Sequence, residues 1–259
     1  MSDKSESINT NVHLSAVIIT KNEANKITAC LESLGFCDEI LVVDSGSSDE
    51  TVSLCQQLGA RVIYQEWLGY GAQKGFAVSR AAHDWVICVD ADERVSEALR
   101  SSIESAIDNP AYGAYEMPRC NFFLGRWLRH GEGYPDYSLR LFNRNNAQWS
   151  DDRIHEKVVA SVEVGRLSGD LLHESSETIE QYLNKQNRYT SLQAEDLVAR
   201  GKKVTATKLL LSPLIRFIKF YVVRRGFLDG VPGMLHIAIG CFNSFSKYAK
   251  AIELRQRDP

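Results

Sequence analysis

The chain has 259 residues, 44% of them hydrophobic and 24% charged, which is the make-up of a folded globular protein and excludes a disordered or low-complexity chain. Its net charge of −3 hides an uneven spread, because residues 200–259 carry twelve Lys or Arg against three Asp or Glu while the preceding part is acidic. A basic C-terminal region of that strength is expected to meet something anionic, either nucleic acid or an anionic membrane leaflet.

Residues 1–12 read as a flexible polar lead-in with no apolar core of a secretory signal. Leu14 to Ile19 is a buried strand, and Ile27, Leu31 and Leu34 then fall at helical spacing. Glu39 to Val43 is a second strand that stops at Asp44. Ser48-Asp49-Glu50 opens a helix with an apolar stripe of Val52, Cys55 and Leu58, and Arg61 to Tyr64 is a third strand. A glycine-bearing segment, Trp67 to Gly75, leads into a helix that runs to Ala82, and Trp85 to Val89 is a fourth strand. Strand and helix alternate throughout, as in a mostly parallel sheet covered on both faces by helices. The polar punctuation falls at strand ends: Thr20 to Glu23, Asp44 to Ser47, and Asp90 to Asp92. In open sheets of this kind, ligands bind at the carboxyl ends of the strands.

Beyond the fourth strand, Val95, Leu99, Ile103 and Ile107 predict a helix. Short strands follow at 113–118, 137–142 and 157–164, with an aromatic and basic stretch from Arg119 to Tyr137. Residues 174–200 read as a long helix, and from Thr205 the chain is apolar, basic and broken by Pro213 and Pro232. Four stretches result: the lead-in 1–12, an alternating strand-and-helix half 13–110, a mixed-strand half 111–173 of the same domain, and a helical basic region 174–259. Six cysteines stand singly, with no C-x-x-C pair, so a reducing compartment is expected rather than a disulfide framework.

Asp90-Ala91-Asp92 carries the most chemistry. Two carboxylates cannot sit unpaired inside a strand, because burying bare charge costs several kcal/mol. At the strand end they suit a hard divalent cation shared with substrate phosphates, or an acidic surface turn. Asp44 can accept from a base or ribose, or cap the helix start that follows. Lys74 can contact a phosphate. Neither G-x-G-x-x-G after the first strand nor G-x-x-x-x-G-K-[ST] occurs, so the usual dinucleotide and P-loop fingerprints are missing.

Val17 to Glu23, Leu41 to Thr51 and Val86 to Glu93, in that order and spacing, resemble the family-2 inverting glycosyltransferases of GT-A fold. The resemblance spans roughly residues 14–165. Within that family, Asn121 to Trp127, Tyr134 to Tyr137, Leu139 to Phe142 and Asp151 to Glu156 are most similar to bacterial lipopolysaccharide inner-core transferases that add β-glucose to a heptose. The resemblance implies an α/β GT-A domain with a C-terminal amphipathic helical appendage. It implies that Thr20, Asn22, Glu23 and Asp44 line a pocket for a UDP-sugar. It assigns ribose contacts and Mg²⁺ or Mn²⁺ to Asp90 and Asp92. Ser45 stands where the family usually has a second aspartate, and Lys74-Gly75 where it usually has Arg-Asn.

An inverting transfer needs a base beside the acceptor hydroxyl. Asp136, Asp151, Asp152 and Glu156 are candidates, with Asp152 first and Glu156 next. His155 can complete a metal shell as neutral imidazole or pack against a wall. Arg126 and Arg140, with Arg119, Arg129, Arg144 and Arg153, suit an anionic acceptor such as a phosphorylated lipopolysaccharide core, or are solvated surface charge. Phe122, Phe123, Trp127 and Tyr134 form a sugar-stacking wall or part of a core. Lys208 to Lys250 suits a helix lying in the headgroup layer, which places the protein on the cytoplasmic face of the inner membrane, or a helical pair covering the domain. A polyprenyl-phosphate sugar transferase is the neighbouring alternative, but a phosphate acceptor needs no carboxylate base. A nucleotidyltransferase would usually carry a glycine-rich phosphate loop. Nucleic acid is not an expected partner, because the acidic half would repel it.

Overall fold

The computed structural model describes residues 12–150, 156–175 and 178–257. Its elements run in the order β1 (Leu14–Thr20), α1 (Ala24–Glu32), β2 (Glu39–Asp44), α2 (Thr51–Gln57), β3 (Arg61–Tyr64), α3 (Tyr70–Arg80), β4 (Trp85–Asp90), β5 (Glu93–Val95) and α4 (Glu97–Asp108). Then come β6 (Ala114–Phe123), β7 (Arg126–Trp127), β8 (Asp136–Asn143), β9 (Ala147–Trp149), β10 (Val158–Ala160), β11 (Val164–Arg166), β12 (Leu171–His173), α5 (Ile179–Ala199), α6 (Ala206–Phe217) and α7 (Gly230–Arg257). The chain divides into two compact units. The first holds the residues up to Pro118 and Tyr137–Leu171, the second Arg119–Asp136 and Leu172–Pro259.

The first unit is the expected α/β sheet. Its strands lie in the order β3-β2-β1-β4-β8-β6, with β1 parallel to both β2 and β4. β8 enters antiparallel to β4. Strand side chains alternate between faces, and two apolar clusters result. Ala16, Ile18, Val42, Ile87 and Val89 pack with Ile27 and Leu31 of α1 and with Leu99, Ile103 and Ile107 of α4. Val17, Leu41, Val43, Val86 and Cys88 pack with Ala77 and Val78 of α3. Helices thus cover the sheet through two distinct apolar clusters, as the alternation predicts.

Local differences have local causes. The stripe of α2 is Thr51 and Cys55, both fully buried, whereas Leu58 is exposed. The helix ends at Gln57, and Gly59 turns the chain with φ +80°, so Leu58 sits outside the periodic face. The helix after Asp90 begins later than the apolar spacing implies, because Glu93–Val95 is a strand and Ser96 caps α4 by accepting from Leu99 N.

The second unit is built differently. α5 starts at a capping box in which Thr178 Oγ1 accepts from Gln181 N and Gln181 Oε1 accepts from Thr178 N. α6 passes through a π-helical turn, Ile218–Val223, and a short 3-10 turn, Gly226–Asp229, into α7. Pro232 lies in the first turn of α7, where the missing N–H costs nothing. Asp229, 1% exposed, accepts from Arg129 N, His130 N and His130 Nδ1 at 2.8–3.0 Å. Arg126 Nη2 donates to Leu228 O at 3.0 Å, and Arg216 pairs with Glu132. The 126–132 loop is therefore held by groups about one hundred residues away in sequence. No described helix is long and apolar enough to cross a membrane.

Candidate active site

Strand register builds the site. β1 and β2 pair Thr20 with Asp44, and β1 and β4 pair Ile19 with Asp90. Three polar strand ends therefore share one edge of a parallel sheet, where such folds take ligands. Thr20 is buried, and its Oγ1 has no hydrogen-bond partner among the described residues. Asp44 is 4% exposed. Its carboxylate accepts from Gly46 N at 2.8 Å, Ser47 N at 2.9 Å and Ser47 Oγ at 2.5 Å, so it braces its own loop. Ser45 Oγ accepts from Gln73 Nε2 at 3.0 Å, which ties the start of α3 to this loop.

Asn22 takes a left-handed backbone, φ +57°, and clasps the neighbouring loop. Its N–H donates to Ser47 Oγ and its Oδ1 accepts from Ser48 N, both at 2.8 Å. Glu23 N donates to Thr51 Oγ1 at 2.8 Å, and the Glu23 carboxylate pairs with Lys26 at 3.5 Å. The Asn22 side chain and the backbone amides of Asn22 and Glu23 thus hold the two loops against each other.

Asp90 is the centre of a charge cluster. Lys74 Nζ lies 2.8 Å from Asp90 Oδ1, and Arg140 Nη2 donates to Asp90 Oδ2 at 3.0 Å. Glu93, fully buried, accepts from Asp90 N at 2.9 Å and stands 3.5 Å from Arg140 Nη2. Lys74 and Arg140 both lie over the ring of Trp149, at 4.8 and 5.5 Å from its centroid. Two anions and two cations balance, which is what makes their burial tolerable. Burial alone would lower the Arg140 guanidinium, but the Glu93 and Asp90 carboxylates outweigh it and raise it. Arg140 Nε and Nη1 are buried without a hydrogen-bond partner among the described residues.

Asp92 sits half-buried on the turn between β4 and β5. The acid density of this turn is visible at Cys30, whose thiol is pushed up by burial and then by Glu93, Asp90 and Asp92. Among the described residues no three His, Cys, Asp or Glu side chains gather to hold a metal unaided. The donor set fits a cation held chiefly by substrate phosphates, since Mg²⁺ commonly takes one or two protein carboxylates in such sites.

Glu156 is half-buried beside α3, where a Cβ added at Gly71 would come within 3.4 Å of the Glu156 Cβ and 2.5 Å of Ser150 O. Asp151, Asp152, Arg153 and His155 lie outside the described residues. Arg126 and Asp136 belong to the second unit, where Asp136 is exposed. Arg144 pairs with Asp84 at 2.9 Å in the first unit. Of the proposed aromatic wall, Phe122 packs on Trp127 with ring centroids 5.0 Å apart. Sequence reasoning missed the pairing of Glu93 with Arg140, and missed Gln73 and Trp149. One signal was available: Arg140 lies in the apolar run Leu139-Arg140-Leu141-Phe142, and a cation in a buried strand demands an anion.

The domain that carries this sheet edge, with its acidic turn and paired cations, is that of a sugar transferase. Residues 15–159 match the model of glycosyl transferase family 2, and the chain belongs to that family. An uncharacterized glycosyltransferase of Rickettsia typhi is 36% identical over 254 residues, spanning 93% of this chain and 87% of the relative. The lipopolysaccharide core biosynthesis glycosyltransferase LpsC of Rhizobium meliloti is 31% identical over 245 residues, spanning 92% of this chain and 91% of that protein. Staphylococcus aureus TarS, a solved structure, is similar over 95% of this chain and 92% of its own, at 16% identity and a TM-score of 0.48, too distant a likeness to speak to substrate.

Proposed function

We propose that this family-2 glycosyltransferase moves a hexose, glucose in the first instance, from a UDP-sugar to a heptose hydroxyl of a lipopolysaccharide core, with inversion. The observation that carries the reading is the Lys74–Asp90–Arg140 cluster at the edge shared by Thr20 and Asp44. It presents buried, fixed cations where a diphosphate would depart, and fixed charge needs no reorganisation when new charge develops. The acceptor oxygen attacks the anomeric carbon from the face opposite the nucleotide, the bond from that carbon to the diphosphate oxygen breaks, and UDP leaves. A carboxylate takes the acceptor proton, and Asp152 is our first candidate, Glu156 the second. A bound Mg²⁺ or Mn²⁺ supplies Lewis-acid stabilisation of the leaving diphosphate, with Asp92 as its protein ligand and His155 as a further candidate. Thr20, Asn22, Glu23, Asp44 and Ser45 shape the nucleotide side, Lys74 and Asp90 the diphosphate and ribose side, and Arg126 and Arg140 complete the substrate-binding set. LpsC supports the core acceptor by its name.

The test is calorimetry and turnover with UDP-glucose, Mn²⁺ and a heptose-bearing core acceptor. Asp92→Asn should lower turnover by on the order of 100-fold or more while UDP binding without metal persists, because transition-state charge stabilisation of this kind is worth several kcal/mol. Normal turnover in Asp92→Asn, or no binding of any uridine nucleotide by the wild-type protein, would overturn the reading.

The same reading places the protein peripherally on the cytoplasmic face of an inner membrane. Its support lies in the second unit, where no residue of α6 is fully buried and Leu210, Ile215 and Val223 are 66%, 61% and 71% exposed. Lys208, Lys219, Arg224 and Arg225 lie among them in sequence. Apolar side chains with a cationic border suit an anionic lipid surface.

A further inference from the structure

The second unit contains two adjoining cavities, of about 640 and 300 Å³. Glu132, Tyr182, Gln186 and His236 belong to the walls of both. Their sizes are those of ligand sites rather than packing defects. Their chemistry is unusual for the inside of a helical assembly. Antiparallel helices ordinarily meet through apolar side chains. Here Asn243 Nδ2 donates to Gln186 Oε1 at 2.8 Å between α7 and α5, and Ser212 and Ser244 share a hydrogen bond at 2.6 Å between α6 and α7. Gln193, Thr190 and Tyr189 add further hydroxyl and amide groups to the smaller cavity.

The larger cavity has an aromatic wall. Tyr182 and His236 stack at 6.2 Å with an interplanar angle of 24°, and Phe123 meets both at 5.5–5.6 Å. His236 Nδ1 is buried with no hydrogen-bond partner among the described residues. Burial, then Arg216, holds this imidazole down to about 4, so it is neutral near pH 7 and its ring nitrogen can exchange a hydrogen bond with a neutral hydroxyl. Arg216 and Asp229 act on it through charge, and Arg216 is paired with Glu132 of the same wall.

Flat rings beside side-chain amides and hydroxyls suit one ligand chemistry. A sugar ring offers an apolar face of C–H groups to an aromatic plane and a rim of hydroxyls that both donate and accept, as amides do. An acyl chain would leave the remaining amide and hydroxyl capacity unmet, and a polyphosphate would meet the carboxylates of Glu132, Asp136 and Glu174, which stand in the same walls as Arg119, Lys185, Arg216 and Lys247. We propose that the paired cavities of the second unit bind a carbohydrate chain, one sugar unit against Tyr182 and His236 and the next among Gln186, Asn243 and Thr190, as the holding site for the acceptor glycan. Only the word acceptor rests on the transferase reading, since binding of the glycan requires no donor.

The probe is the lipid-free core oligosaccharide released from lipopolysaccharide by mild acid, titrated into the full chain without nucleotide and followed by saturation-transfer NMR and calorimetry. Wild-type protein should bind it saturably. Tyr182→Ala and Gln186→Leu should each weaken binding at least tenfold, with UDP binding unchanged. Asn243→Leu, which replaces an amide by a similar volume, covers the case in which Tyr182→Ala unfolds the unit. Wild-type affinity in folded Gln186→Leu and Asn243→Leu proteins, or no saturable binding by the wild type, would overturn the proposal. Glycan binding without any uridine nucleotide binding would leave this site standing and remove the transferase reading alone.

Discussion

The two units solve the problem of a folded interior in opposite ways. The first packs Ile18, Leu41, Ile87, Leu99, Ile103, Leu141 and Phe142 to complete burial and confines its charges to one sheet edge. The second fully buries few large apolar side chains, Leu128 and Ile237 among them, and joins its helices through polar pairs. It also leaves Leu210, Leu214, Ile215, Val223, Val231 and Phe242 more than half exposed. An apolar interior with a polar edge gains its stability from burial and leaves charge where the strands end. A polar interior with an apolar exterior gains less from burial of apolar surface.

The largest expected effect strikes the first unit at its charged edge. Arg140→Leu takes the guanidinium away from Glu93 and Asp90, and breaking a buried charge cluster in this way costs about 3–5 kcal/mol. Urea denaturation would read it, and a loss below about 1 kcal/mol would show that the edge is solvated rather than buried.

A somewhat smaller effect should expose the polar interior of the second unit. The folded state holds His236 near 4 while an unfolded histidine titrates near 6.5. The unfolded chain therefore binds the extra proton between those values, and stability falls as pH drops through that window. The loss is complete below about pH 4 and amounts to about 3 kcal/mol. His236→Gln should flatten this part of the stability curve between pH 6.5 and 4, while carboxylates elsewhere continue to titrate. An unchanged acid limb would place His236 in water.

The smallest effect on stability should accompany a clear effect on location. Leu214→Glu with Val223→Glu should alter unfolding by about 0.5 kcal/mol or less, since both side chains are largely exposed. Each apolar side chain buried in lipid is worth roughly 1.5–3 kcal/mol, so sedimentation with anionic vesicles should fall by at least tenfold. Equal pelleting of the double variant would end the membrane reading and would leave the apolar exterior of the second unit to a protein partner.

The first unit was legible in the sequence because its signals are local. Val86 to Val89 is apolar without interruption, Asp90 follows at once, and Leu99, Ile103 and Ile107 repeat every four residues. The position of Asp90 was therefore readable, but its partners were not. Lys74, Glu93, Arg140 and Trp149 come from α3, β5, β8 and β9, and nothing in local spacing pairs them. Only the expense of an unpaired charge in a strand hinted that Arg140 had a carboxylate beside it. The second unit was harder, since its order rests on long-range polar contacts. Asp229 lies amid glycines and apolar residues with no periodic pattern, yet it holds Arg129 and His130. Tyr182 and His236, more than fifty residues apart, gave no sign of stacking.

The grip of Asp229 on the backbone at Arg129 and His130 also governs how this protein can be dissected. A shortened chain that stops before residue 229 would strip two amide protons of their acceptor, and the loop that depends on them would lose its anchor. Trimming the basic end to test for lipid attachment would thus damage that loop as well, and any fall in turnover would not report on the membrane. Substitution on the exposed face of α6 spares that anchor, whereas removal of the segment does not.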